Sequence, residues 1–310
     1  MKANALRPGD TIGIIAPASA PQTAAKITKS VRYFERLGFN VELGNHLNKP
    51  RGYLAAKDSA RLEDLHGMFA NRDVRAIFLI RGGYGTIRLL PEINYDLIRR
   101  NPKIIVGYSD ATALFNAIYK KTGLQSIFYG PMAGVDIWKN FDPFAEECMW
   151  EALTSKKPLG KLPADRGEIK LLKKKKYAPV IGKMIGGNLT VFSSIMGTPF
   201  MPSVKDHILF FEDIAERPYR IDRYLAQLRA AGILAGTKAV LLGEFADCEE
   251  PKSKASLTTK EIFHDYFDPL GIPVLTNLPS GHIPRQWTIP LGATYKITGN
   301  TVSIIESVLQ

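Results

Sequence analysis

A serine, a glutamate and a histidine in this chain of 310 residues stand in local settings that suit acyl transfer. Ser109 lies in Gly107-Tyr108-Ser109-Asp110-Ala111, between an apolar run and a helical pattern. That is the layout of a nucleophile elbow, a sharp strand-to-helix turn that exposes the hydroxyl and leaves the next N–H for an oxyanion. Ala111 departs from the glycine that closes the usual motif. Serine is also a favoured helix N-cap, and on these residues alone the two roles stay open. A base would decide between them. Of the five histidines, His66 and His264 fall in helical patterns as surface or packing residues, His207 begins a strand and His46 sits in a polar loop. His282 belongs to "NLPSGHIPRQWTIPLG", a late loop of glycine and prolines able to reach across from a second domain. Loops of this sort carry function more often than framework. Glu212 ends the apolar strand "HILFFE", followed by Asp213 and, a little later, Glu216; a charge ending a buried strand needs a partner.

A second loop has a suitable makeup. Arg81-Gly82-Gly83-Tyr84-Gly85 follows the apolar run "AIFLI" directly. Its glycines let main-chain N–H groups approach an oxyanion or a phosphate closely, although a glycine cluster after a strand also serves as a plain tight turn. The G-x-G-x-x-G spacing and a Walker lysine are both missing, so this is not a dinucleotide or P-loop fingerprint. Two cysteines, Cys148 and Cys248, without metal-ligand spacing, give neither a disulfide framework nor a zinc site and read as buried thiols.

The elements that must position these residues follow from the hydrophobic pattern. Strands are expected at residues 11–16, 40–43, 76–80 and 104–106, and helices at 24–37, 59–69 and 111–119. Such alternation calls for a parallel sheet covered on both faces, which holds ligands at the carboxyl ends of its strands. The pattern then loosens into an acidic and aromatic helix and a proline- and lysine-rich connection. Strands at 205–211, 239–245 and 294–305, with a helix near 220–231, indicate a smaller mixed domain. The expected organisation is an α/β domain over residues 1–135, a linker over 136–180 and a second domain over 181–310.

Composition is that of a globular enzyme, with 45% hydrophobic and 23% charged residues. No apolar run approaches the roughly 20 residues that span a bilayer, and the start lacks a signal-peptide stretch, so a cytoplasmic location without membrane contact is expected. The net charge is +11, most concentrated in the four lysines 173–176. No aromatic residues interleave with them, so nucleic-acid binding is not expected; the excess suits a small anionic substrate.

The loop "RGGYG", the elbow "GYSDATAL", and the stretches "GYLAAKDSARLEDL", "GGNLTVFSSIMGTPF", "LFFEDIAERPYRIDRYLAQL" and "GHIPRQWTIPLG" occur in the order found in one family. The chain resembles the L,D-carboxypeptidases, serine peptidases that include the microcin C self-immunity proteins. The resemblance implies a class I glutamine-amidotransferase-like first domain, a barrel-like second domain, a site in the cleft between them and a homodimer. It assigns Ser109 as nucleophile, Glu212 as triad acid and His282 as base, with the N–H groups of Asp110 and Gly83 as oxyanion hole. It implies removal of the terminal D-alanine from murein tetrapeptide in cytoplasmic cell-wall recycling, with no metal or organic cofactor. The rivals are a microcin-immunity-type hydrolase of aminoacyl-nucleotide analogues, for which Trp138, Trp150 or Trp287 would offer a stacking face, and a ligand-binding module without catalysis.

Overall fold

The computed structural model describes residues 1–163, 169–251, 253 and 255–310. The short apolar runs of the first half become β1 (Thr11–Ile15), β2 (Asn40–Leu43), β3 (Val74–Leu79), β4 (Ile104–Gly107) and β5 (Ile127–Tyr129), paired in parallel in the order β5-β4-β3-β1-β2. Four of these strands are buried almost throughout, which is why they read as continuous apolar runs rather than alternating ones. Helices α1 (Ala24–Arg36), α2 (Asp58–Ala70), α3 (Tyr95–Arg100) and α4 (Ala111–Thr122) fill the crossovers. The parallel α/β domain expected from the strand-helix alternation is therefore present. β5, only three residues long, escaped the sequence pattern.

The acidic and aromatic segment forms α5 (Pro143–Thr154), started by an Asp142 side chain that accepts from two backbone N–H groups. Residues 164–168 of the expected linker lie outside the described residues. The strands β6 (Gly160–Lys161), β7 (Lys170–Leu171), β8 (Val180–Asn188), β9 (His207–Ile214), β10 (Ala239–Ala246), β11 (Val274–Thr276), β12 (Ile289–Leu291), β13 (Thr294–Thr298) and β14 (Thr301–Ile304) complete the chain. They are interrupted by α6 (Leu189–Ser194), α7 (Pro218–Ala230) and α8 (Thr259–Phe267). Eight of the strands form a second, mixed sheet in the order β6-β14-β13-β8-β9-β10-β11-β7.

One expectation is corrected and one further strand is found. Residues 294–305 are not one strand but the hairpin β13–β14, in which Thr298 pairs with Thr301 around Gly299 and Asn300, and Gly299 supplies the positive φ that the two-residue loop requires. Of the nine strands β6 to β14, the seventh, β12, stands outside the second sheet and pairs antiparallel with β5, closing the edge of the first sheet. Pro290 is tolerated there because β12 has β5 on one side only. The chain thus returns to the first sheet immediately after the loop that carries His282, and the second half is tied to the first beside Tyr129, the partner of Ile289.

Candidate active site

The site forms where the carboxyl ends of β3, β4, β5 and β9 meet. Ser109, in the turn between β4 and α4, has φ 65, a left-handed conformation that is uncommon and strained for a residue with a side chain. The conformation is held from both sides: the Ser109 N–H donates to the Tyr129 hydroxyl at 3.1 Å, and its carbonyl accepts from Thr112 N–H at 2.9 Å. Capping does not explain the strain. Asp110, not Ser109, occupies the N-cap position of α4, and the helix start has no side-chain capping bond.

Glu212 sits near the end of β9 with no exposed surface. Its Oε2 lies 2.7 Å from His282 Nδ1, and its Oε1 accepts from the Tyr129 hydroxyl at 2.6 Å and from Asn188 Nδ2 at 3.3 Å. The buried carboxylate that the sequence said must find a partner therefore has three. Gly281 makes the approach of the histidine loop possible: a Cβ there would lie 2.6 Å from Glu212 Oε2, and its φ is +121. The His282 ring also packs edge-on against Tyr108, centroids 4.9 Å apart, which brings the imidazole alongside the residue preceding Ser109. Burial opposes the imidazolium, but the hydrogen bond and charge of Glu212, with Asp213 and Asp136 beyond, outweigh it and raise the His282 pKa above its ordinary value.

The two glycines of the β3 loop divide the work. A Cβ on Gly82 would stand 2.9 Å from both Cβ and Oγ of Ser109 and 3.5 Å from the Asp110 nitrogen, so this loop lies directly against the serine. The Gly82 carbonyl accepts from Ser19 N–H at 3.3 Å. In a trans peptide the next N–H points the opposite way, and the Gly83 and Asp110 N–H groups make no hydrogen bond among the described residues. Two main-chain donors, on the loop that packs against Ser109 and on the residue that follows it, are thus without a partner among the described residues. Arg81 is the adjacent cation, its Nη2 3.8 Å from where a Gly83 Cβ would be.

Several participants carried no sequence signal. Tyr129 reads as an ordinary core aromatic in "IFYG". Asn188 caps α6 with its Oδ1 while its Nδ2 reaches Glu212 and Asp213, the latter at 2.9 Å. Asp213 also accepts from the N–H and hydroxyl of Thr190, and burial pushes its pKa up to about 6. Asp136, on a π-helical turn over Ala133–Ile137, shares with His282 and Tyr108 a cleft of about 370 Å³. The other candidates lie apart from this cleft. His46 pairs with Asp64, His66 accepts from Asn94 N–H, His207 packs against Tyr119 and His264 meets Asp268. Trp287 is buried, Trp150 stacks on Phe39, and Trp138 lies under Lys26 and Lys29. Lys174, Lys175 and Lys176 line a separate, larger hollow of about 1070 Å³ whose lining includes none of Ser109, Glu212 and His282. No described helix is long and apolar enough to cross a membrane.

Comparison with known proteins shows the family. Residues 12–130 match the LD-carboxypeptidase N-terminal domain and residues 181–297 the LD-carboxypeptidase C-terminal domain. The chain belongs to the LD-carboxypeptidase family, a family of peptidases. It is 36% identical over 316 residues to a probable murein peptide carboxypeptidase of Bacillus subtilis, covering 99% of this chain and 94% of that protein. It is 32% identical to the murein tetrapeptide carboxypeptidase of Pseudomonas aeruginosa, with 93% of each chain covered. Among solved structures, the microcin C7 self-immunity protein MccF in complex with glutamyl sulfamoyl guanosine superposes with a TM-score of 0.88 at 29% identity, covering 100% of this chain and 99% of that one.

Proposed function

We propose that this protein is a serine-type L,D-carboxypeptidase that releases the terminal D-alanine of murein tetrapeptide, acting as a homodimer in cytoplasmic cell-wall recycling. The observation that carries the reading is the Glu212–His282 pair at 2.7 Å, brought by the second half of the chain to a strained serine turn of the first. The murein carboxypeptidase relatives support the substrate.

In this mechanism neutral His282 takes the proton of Ser109 Oγ through Nε2 as the oxygen attacks the scissile carbonyl. Glu212 fixes the Nδ1–H tautomer and stabilises the imidazolium that forms. The Gly83 and Asp110 N–H groups receive the oxyanion, and because they are preorganised they cost no reorganisation when charge develops. The imidazolium then gives its proton to the departing D-alanine nitrogen. Water, activated by the same histidine, hydrolyses the acyl-serine and regenerates the hydroxyl. Arg81, beside the oxyanion loop, is the side chain we assign to the substrate's terminal carboxylate, a bidentate role suited to guanidinium.

The MccF relatives make hydrolysis of an aminoacyl-nucleotide analogue the second reading. The environments of the three tryptophans do not favour it, since two are packed and the third faces lysines. Mass spectrometry after incubation with murein tetrapeptide and, separately, with an aminoacyl-adenylate analogue separates the two. Loss of D-alanine alone from the tetrapeptide is expected, with orders of magnitude less turnover when its C-terminus is amidated. Turnover of the adenylate analogue alone would overturn the assignment, and equal turnover of amide and acid would remove its exopeptidase character.

A further inference from the structure

The cleft beside His282 contains a carboxylate that the mechanism does not use. Asp136 Oδ2 accepts from Met132 N–H at 2.8 Å, and its Oδ1 meets Gln286 Nε2 at 3.3 Å and the Tyr108 hydroxyl at 3.5 Å. All three donors are neutral, and the two at Oδ1 are long. Among the described residues no lysine or arginine forms an ion pair with it, although Lys139 stands on the exposed rim of the same cleft. The other acid lining the cleft is already engaged: Asp142 caps α5 and lies 3.5 Å from Arg285. Desolvation disfavours a carboxylate in such a place unless a cation answers it. The side of Asp136 turned toward the cleft is where that cation has room.

We propose that Asp136 is a specificity-determining residue, the anchor for an ammonium group carried by the substrate on the acyl side of the scissile bond. The inference rests on the carboxypeptidase reading and extends it. The departing D-alanine brings a carboxylate and a methyl group, so the cation comes from the acyl side, and since Asp136 shares its cleft with His282 we assign it to the residue that supplies the scissile carbonyl rather than to the distant N-terminus. That residue is accordingly an ω-amino acid with its side-chain amine unmodified. The two charges also orient the peptide. Arg81, by the oxyanion loop, draws the terminal carboxylate, whereas Asp136, by His282, repels it and draws the ammonium.

The competing role for Asp136 is purely electrostatic support of the His282 imidazolium, and the two roles move different quantities. The test compares two tetrapeptides, one with a free side-chain amine at the third residue and one with that amine acetylated. Hydrolysis is measured with wild-type enzyme and Asp136→Asn, and binding by calorimetry on Ser109→Ala and Ser109→Ala/Asp136→Asn. A charge-assisted hydrogen bond predicts that wild type prefers the free amine by about ten- to a hundredfold in kcat/KM and Ser109→Ala by a similar factor in affinity. Asp136→Asn should bring both ratios close to one, chiefly through KM of the amine peptide. A wild type indifferent to acetylation would overturn the proposal, whether or not the variant folds. So would an Asp136→Asn enzyme that is slower on both peptides while keeping the ratio, since that outcome assigns the residue to His282. If wild type cleaves neither peptide at the L,D bond, the carboxypeptidase reading fails, and an intact binding preference in Ser109→Ala would still report the ammonium site.

Discussion

The hydroxyl of Tyr129 donates to Glu212 Oε1 at 2.6 Å and accepts the backbone N–H of Ser109 at 3.1 Å. One fully buried phenol therefore joins the strained turn of one sheet to the buried carboxylate of the other. Tyr129→Phe removes both bonds, leaving the half-buried Ser109 N–H without this partner and Glu212 with Asn188 and His282. A loss of roughly 1–3 kcal/mol of stability is expected from the orphaned groups, with kcat down about tenfold or more. The pH profile separates a structural from an electrostatic role. The Tyr129 donor stabilises the state in which His282 is neutral and Glu212 bears its charge alone. Without the donor, Glu212 holds the His282 imidazolium more strongly, and the acid limb of kcat/KM should move to higher pH. A lower melting temperature with an unmoved limb would assign Tyr129 to packing only.

Glu212→Gln should move the same limb the other way. The wild-type limb is expected above the ordinary imidazole value of about 6.5, because Glu212 helps hold the proton on His282 and the base must be neutral to act. Removing the negative charge lowers the histidine pKa and shifts the limb to lower pH. The amide also presents the wrong tautomer partner, so kcat should fall by a factor on the order of 10^4, less than for loss of Ser109 or His282. Stopped or steady-state rates across the range from about pH 5 to 9 check both direction and size.

How much of this was legible in the sequence depended on whether a residue's role had a local signature. Ser109, Glu212 and the glycine loop stand at strand ends and His282 in a glycine and proline loop, settings that single them out as candidates while only the family resemblance assigns their roles; the parallel sheet is legible through runs such as "AIFLI". Tyr129, Asn188 and Asp136 do not, because each acts across a sequence separation that pattern cannot express: Tyr129 reaches Glu212 and Asn188 spans β8 and β9. The return of Ile289–Leu291 to the first sheet was hidden for the same reason. The hairpin at Gly299 and Asn300 was legible in principle, since a two-residue glycine turn between alternating residues is a hairpin signal. In the sequence the loop glycines signify permissive backbone, whereas in the structure Gly82 matters for the space it leaves to Ser109.

Gly82→Ala tests that space. Its Cβ would be forced to 2.9 Å from the Ser109 Cβ and Oγ, so the serine must shift or the loop must retreat, taking with it the Gly83 N–H proposed to receive the oxyanion. A misplacement of about 1 Å costs on the order of a hundredfold. The expected result is a folded protein that binds peptide and turns it over at least that much more slowly. Near-normal turnover would mean that the loop is not part of the reacting geometry.

Asp136 should carry a stability cost that depends on pH. Burial raises its pKa to about 6, above the roughly 3.9 of the unfolded chain. The folded state therefore binds the proton more tightly, and its contribution is fully present below about pH 4 and lost as pH rises through 6. By that difference the ionised wild type forgoes about 2–3 kcal/mol near pH 8. Asp136→Asn should accordingly melt higher than wild type at pH 8 and close to it at pH 4. A variant equally stable at both, or less stable at pH 8, would show that an unrecognised cation already answers this carboxylate.

The most direct measurement is release of D-alanine from murein tetrapeptide by Ser109→Ala, His282→Ala and the double variant, followed by mass spectrometry, with calorimetry to verify that each still binds the peptide. If the strained serine is the nucleophile and His282 its base, each single change lowers kcat by a factor on the order of 10^4 or more with affinity largely kept. The double variant is then little worse than either, because the two residues act as one unit. A Ser109→Ala enzyme that releases D-alanine at the normal rate, or losses that multiply in the double variant, would contradict the triad and leave the serine turn with no chemistry of its own.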